Sequence, residues 1–310
     1  MNSKSLRGSL LLLIGAAIWG SAFVAQDVAM NYVGPFTFNA MRYFVGALSL
    51  LPAILVSDMI EKRRHPERSM ADIKSTRAFS WKAGIIAGLA LIIPTTMQQI
   101  GLTETSAGKA GMITGMYIIT VPLLGLFLGQ KCGLNVWLAV ILGVAGMYLL
   151  CVTGNFSITA SDTLLLISVV FWAVQILVID HFAPKTDCFR MVCMEFLVCG
   201  VLSCIPMLLT EELPDKAALM DTLLPVLYVG VFSCGVAYTL QPLGQRDTPP
   251  AAASLIMCLE SVFAALTGFI LLGDGFTARE LVGCALMLGG TVLAQFPFGP
   301  GKEKNAALAE

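Results

Sequence analysis

Arg42, Glu195 and Glu260 each lie deep inside long runs of apolar residues. A charge in the hydrocarbon core of a membrane costs about 2.5–3.5 kcal/mol on insertion scales. Side chains of this kind therefore serve to pair, to bind a solute or to move protons. Arg42 and Glu195 are opposite in sign and stand 153 positions apart (195 − 42). That spacing predicts either a pair or the two ends of one ligand site, which a zwitterionic solute would suit. The alternative for Arg42 is that it snorkels to the nearer interface. Glu260 falls near the middle of its run. A carboxyl that is neutral when sealed and charged when wet can carry a proton, so Glu195 and Glu260 are the proton-coupling candidates. The alternative for each is a structural carboxyl bridging two helices.

Neutral polar and aromatic side chains follow helical spacing around these charges. Trp172, Gln175 and Ile179 share one face, as do Tyr238, Gln241 and Gln245, and Thr95 with Gln99. Trp19, Tyr117, Trp172 and Tyr238 offer ring surfaces to an apolar part of a ligand. The predicted solute-binding set is therefore Trp19, Arg42, Gln99, Tyr117, Trp172, Gln175, Glu195, Tyr238, Gln241 and Glu260. Other chemistries lack their residues. SAGKA at Ser106–Ala110 looks like the end of a phosphate loop, but the leading glycine would fall at Thr103. VFSCG around Ser233 looks like a nucleophile elbow, but Val231 stands where glycine is needed. The cysteines form no CxxC pair, and His65 and His181 stand alone. No metal, no cofactor and no catalytic residue is predicted, and ATP hydrolysis is not expected to drive the protein.

Apolar spans must position these residues. Of 310 residues, 57% are hydrophobic and only 13% charged, too few to clothe a soluble fold of this length. The net charge of −1 gives no field for nucleic acid. About 20 apolar residues cross a bilayer. Reading between polar breaks predicts ten spans: 9–28, 35–57, 83–101, 107–128, 134–153, 163–181, 188–209, 222–243, 250–272 and 279–297. The first is expected to be an uncleaved span rather than a signal peptide. One long loop is expected at 58–82. With the N-terminus inside, 15 basic residues fall on the cytoplasmic side and 3 on the other. This predicts both termini in the cytoplasm, in the cytoplasmic (plasma) membrane. RRHPER in the long loop reads first as a topology signal and second as a contact for anionic membrane lipid.

The two halves repeat. At a shift of 153, LLLI at Leu11–Ile14 meets LLLI at Leu164–Ile167, Trp19 meets Trp172, Asp27 meets Asp180, Phe36 meets Phe189 and Met41 meets Met194. Farther on the shift is 144: Leu128-Gly129 meets Leu272-Gly273, and Gly146 meets Gly290. The change falls between the unequal loops at 58–82 and 210–222, where a deletion is harmless. Each half then holds five spans, and an odd number inverts the second half in the membrane. The predicted fold is an all-α integral membrane protein of ten transmembrane helices. They form two inverted five-helix repeats, 1–153 and 154–300, around a central cavity, with a cytoplasmic tail at 301–310. Such a repeat offers two nearly equivalent states, one open to each side, the arrangement of secondary transporters. Glycines four apart (Gly84/Gly88, Gly111/Gly115, Gly125/Gly129) predict close helix packing. Pro94 and Pro122 predict kinks. Asn155-Phe156-Ser157 is a glycosylation sequon on the outer side.

IWGSAFV (Ile18–Val24), MRYFVGAL (Met41–Leu48), TSAGKAGMITGMYIITVPLLGLFLGQ (Thr105–Gln130) and SLIMCLESVFAALTGFILLGD (Ser254–Asp274) resemble the drug/metabolite transporter superfamily, EamA-type branch. The resemblance covers essentially the whole chain. It implies ten helices around a central cavity and export of a small metabolite, often an amino acid. It also implies that the fifth and tenth helices lie outside the cavity, toward a homodimer partner. The chain departs from the pattern at Glu260-Ser261, where glutamate is usually followed by proline, and at Gly129-Gln130, where an acid often follows the glycine. The expected function is secondary active export of a small amphipathic solute by alternating access, with protons as coupling ion. The alternatives are an uncoupled facilitator or a drug exporter of the same fold, and, more distantly, an intramembrane enzyme.

Overall fold

The computed structural model describes residues 3–64, 69–105, 107–151, 159–272 and 277–295, and among them every regular element is helical. The first half contains α1 (Ser3–Ala29), α2 (Pro35–Arg64), α3 (Met70–Gly101), α4 (Ala107–Gly115), α5 (Tyr117–Phe127) and α6 (Leu134–Cys151). The second contains α7 (Ala160–Phe182), α8 (Cys188–Thr210), α9 (Lys216–Tyr228), α10 (Tyr238–Gln245), α11 (Pro250–Met257), α12 (Glu260–Leu272) and α13 (Ala278–Ala294). Among the described residues, eight helical segments are long and apolar enough to cross a membrane. Three of these carry an irregularity within them: α4–α5, α9–α10 and α11–α12. A shorter apolar helix covers Leu134–Leu150, and α13 packs along it.

The surface is inside-out relative to a soluble protein. Leu48, Leu51 and Leu55 on α2, and Val201, Ile205 and Leu208 on α8, are exposed. Asn39, Gln99, Gln175 and Glu195 are fully buried. Lipid is the medium that suits such a surface, and it offers no hydrogen bonds to the polar groups inside.

Within the expected long loop at 58–82, the described residues are helical except Ser69. α2 runs on to Arg64 and α3 begins at Met70, behind Ser69, whose hydroxyl accepts from the Asp72 N–H at 3.1 Å. The sequence DMIEKRR contains no helix breaker, so the helix continues after its apolar stretch ends. The greater part of RRHPER, the sequon at 155–157 and the tail at 301–310 lie outside the described residues. Pro94 sits inside unbroken α3, and Pro122 inside α5. The interruption of the fourth span falls at Met116, just after Gly115.

Helix pairs lock the halves together. α2 and α8 run side by side, and the carboxylate at the end of each meets the beginning of the other. Glu211 caps α2: the N–H groups of Phe36 and Thr37 donate to its carboxylate at 2.8 and 2.7 Å, and the Thr37 hydroxyl donates at 2.6 Å. Gly34 makes the room, since a Cβ there would overlap that carboxylate. At the opposite end, Arg190 in the first turn of α8 pairs with Asp58 of α2 and with Asp187, the residue that caps α8. Close packing of α3 on α8 rests on Gly84 and Gly88, which face the backbone oxygens of Met191 and Glu195.

Candidate functional site

A cavity opens where α1, α2, α3, α7 and the three irregular segments converge. Trp19, Arg42, Tyr117, Trp172, Gln175, Tyr238, Gln241 and Glu260 line it, eight of the ten residues predicted from sequence. Its empty space, open solvent at the mouth included, is about 530 Å³.

Two broken helices cross at this cavity. α4 stops at Gly115 and α5 begins at Tyr117; α11 stops at Met257 and α12 begins at Glu260. At the shift of 144 expected from the sequence, Gly115 corresponds to Leu259, which lies in the second break. α4 packs on α12 and α5 on α11. The Tyr117 hydroxyl donates to Glu260 Oε1 at 3.2 Å, joining the opening residues of the two half-helices. Ser261 donates its hydroxyl to the Gly111 carbonyl at 3.2 Å, and its N–H reaches Cys258 O at 3.2 Å. The helix therefore breaks here without the proline of the usual pattern. Gly20 lets α1 approach: a Cβ there would fall 2.5 Å from the Glu260 carbonyl oxygen.

The third irregular segment is wide. Val229–Ala237, between α9 and α10, is π-helical. Nine residues of π geometry within one pass are rare, and π turns concentrate at functional sites. Gly230 and Gly235 bring this segment against α2, beside the Arg42 carbonyl and the Ser49 side chain. Ser233 and Tyr238 reach the cavity from it. Tyr238 stacks edge-on with Trp19 (centroids 5.1 Å) and with Phe196 (5.4 Å).

Arg42 does not reach an interface. It is buried, donating to Gln26 Oε1 and, at 3.1 Å, to the Tyr43 hydroxyl. Glu195 does not pair with it. Instead Glu195 lies one layer behind the cavity wall and accepts from Gln175 Nε2 at 3.3 Å, while Gln175 Oε1 accepts from Gln241 Nε2 at 3.1 Å. A polar relay thus connects the buried carboxyl to two wall residues. Gln99 is fully buried away from the cavity, and its neighbour Gln98 takes the wall position. Ile179 packs in a separate cluster with Ala83 and Ala87, and Gln245 donates to Ile176 O at 3.0 Å.

Sequence reasoning missed Phe23, Gln26, Gln98, Thr114, Ser233 and Met257 on the wall. One signal was available: Trp19, Phe23 and Gln26 follow i, i+4, i+7 on α1. Lys109 pairs with buried Asp162 at 2.6 Å, where Thr105 also donates at 3.1 Å. Among the described residues, no three His, Cys, Asp or Glu side chains group to hold a metal ion.

The pattern of the EamA-like transporter family matches residues 6–152 and again 159–296. This chain belongs to the EamA-like transporter family. It is accordingly a multi-pass membrane transporter. An uncharacterized transporter of Archaeoglobus fulgidus is 27% identical over 92% of this chain and 84% of its own. A chloroplastic WAT1-related protein of Arabidopsis thaliana is 27% identical over 91% of this chain and 67% of its own. One solved crystal structure superposes with a TM-score of 0.73 at 18% identity, covering 93% of this chain and 96% of that one. That likeness concerns the fold.

Proposed function

We propose that the protein is a secondary transporter that exports a small amphipathic solute, such as an amino acid, by alternating access between two inverted five-helix halves. The observation that carries this reading is the polar cavity at the crossing of two broken helices, holding a buried Arg42 and Glu260. Interrupted helices at corresponding positions of two halves are the usual location of a transporter's solute site.

Contacts that recur between the halves support the inverted repeat of ten passes. α3 packs on α8 as the π segment packs on α2. α3 packs on α7 as α10 packs on α1, and α1 packs on α12 as α7 packs on α4 and α5. Asp58 and Glu211 differ by 153, as do Thr37 and Arg190, so the two clasps between α2 and α8 are the same contact written twice. Such self-matching contacts let one half rock against the other with little change in total packing. The positive-inside count supports cytoplasmic termini in the plasma membrane. The homodimer through the fifth and tenth helices, α6 and α13, belongs to the same reading.

Glu260 is the favoured proton carrier. It faces the cavity, whereas Glu195 reaches it only through Gln175. The Tyr117 hydroxyl can hold the carboxylate after the proton leaves. The test is counterflow in proteoliposomes loaded with a labelled amino-acid mixture, with and without an imposed pH gradient. The reading expects exchange that Trp172→Ala abolishes, and gradient-driven accumulation that Glu260→Gln abolishes while exchange survives. Accumulation indifferent to both the gradient and Glu260→Gln would leave a facilitator.

A further inference from the structure

The cavity contains a cation that the protein does not neutralise. Arg42 is 5% exposed, and its guanidinium contacts only neutral groups. These are the Gln26 amide oxygen, the Tyr43 hydroxyl, and the Tyr43 and Phe38 rings at 4.8 and 5.6 Å from their centroids. Among the described residues no carboxylate stands within ion-pair distance of it. Glu195, its repeat counterpart, is engaged by Gln175, and Glu260 by Tyr117. A lysine so placed could shed its proton, but a guanidinium keeps its charge in a protein. Polar contacts lower the cost of burying that charge without cancelling it.

Three residues that line the same space carry buried donors without an acceptor. Arg42 Nε has no acceptor, and the indole Nε1 atoms of Trp19 and Trp172 are likewise buried without one. Trp19 and Trp172 are repeat counterparts, 153 apart, and both line the cavity with Arg42. A fixed positive charge with additional N–H donors is complementary to an oxyanion, and a guanidinium fork fits a carboxylate in particular. Ring surfaces of Trp19, Phe23 and Tyr238 are at hand for an apolar remainder.

We propose that Arg42 is the specificity-determining anchor of the cavity and that the solute it selects carries a carboxylate. This rests on the cavity being the solute site. It places a cationic solute below a carboxylate of the same shape, because among the described residues no carboxylate stands within ion-pair distance of Arg42.

The test is isothermal titration calorimetry on the full-length protein in detergent, with three probes of one shape: 3-phenylpropionate, 3-phenylpropanamide and 3-phenylpropylamine. Chloride is a fourth arm. The carboxylate should bind about ten-fold or more tightly than the amide, the loss of one charge-assisted contact. The amine should not bind, and chloride should not displace the carboxylate at equal concentration. Arg42→Gln should erase the preference of carboxylate over amide. Arg42→Lys should keep the preference at lower affinity, and the wild-type ranking stands even where Arg42→Gln does not fold. An amide that binds as well as the carboxylate, a preference that survives Arg42→Gln, displacement by equal chloride, or no binding by any probe each overturns the proposal. Binding of the amine, or of the amide as tightly as the carboxylate, abolished by Trp172→Ala, would sink the anion anchor while leaving the cavity as the transport site.

Discussion

At the scale of single residues, Gly34 and Gly20 perform one task by different means. Gly34 leaves space for the Glu211 carboxylate over the start of α2, and Gly20 leaves space for the start of α12 against α1. Gly34→Ala should expel the carboxylate and so mimic Glu211→Ala. Each is expected to lose a helix cap, about 0.5–2 kcal/mol, and the double substitution should cost little more than either single one. Thermal unfolding of the purified variants reads this directly. Gly20→Leu meets backbone rather than a movable carboxylate, so a larger fall is expected, about 1–3 kcal/mol from overpacking. It should also displace Glu260, and counterflow should fall with it. The residues of the site were legible in proportion to their rarity. Arg42 and Glu260 stood out because charge is costly in apolar runs. Gln98 and Gln99 could not be told apart, because both lie one helical turn from Thr95 and only packing decides which faces the cavity.

At the scale of elements, the notable feature is a helix that breaks without proline. The break before α12 follows from Ser261 tying itself to Gly111 on α4, while Tyr117 holds Glu260. Ser261→Ala should lose that tie, about 1 kcal/mol. Ser261→Pro should cost a similar amount and still fold, because proline is tolerated in the first turn of a helix. Matched unfolding midpoints for the two variants, with counterflow retained, are the expected result. A Ser261→Pro variant much less stable than Ser261→Ala would mean that the N–H of residue 261 carries the break. Sequence patterns foretold the eight spans long and apolar enough to cross a membrane, and the shorter apolar helix at Leu134–Leu150, but not how three of the eight are interrupted. A 3.6-residue period continues through a short gap or a π turn unchanged to the eye. The expected loop at 58–82 failed for a related reason: hydropathy marks where a helix leaves lipid, not where it stops being helical.

At the scale of the molecule, ties across the two halves gather at both ends of the bundle. Lys109 on α4 pairs with Asp162 on α7 at one end, and Arg190 on α8 pairs with Asp58 on α2 at the other. Asp162 is almost wholly buried, so removing its partner leaves a carboxylate that accepts, among the described residues, only from the Thr105 hydroxyl and the Thr159 N–H. Lys109→Met is expected to lower stability by about 1–2 kcal/mol. A double-mutant cycle with Asp162→Asn should show that the two effects do not add. The proposed repeat was legible in paired identities such as Trp19 with Trp172. The clasps were not, because a threonine matched to an arginine, and an aspartate to a glutamate, share a role only once the helices are side by side.

The cap on α2 carries a consequence for how the chain is made. Phe36 and Thr37 wait for an acid that lies 174 or more residues downstream. During synthesis the early helices therefore enter the bilayer with the head of α2 unfilled, and only the arrival of residue 211 completes it. Severed between residues 152 and 159 and produced as two polypeptides, the early fragment alone should be degraded. Supplying the late fragment in the same cell should rescue it, and Glu211→Ala in that late fragment should weaken the rescue.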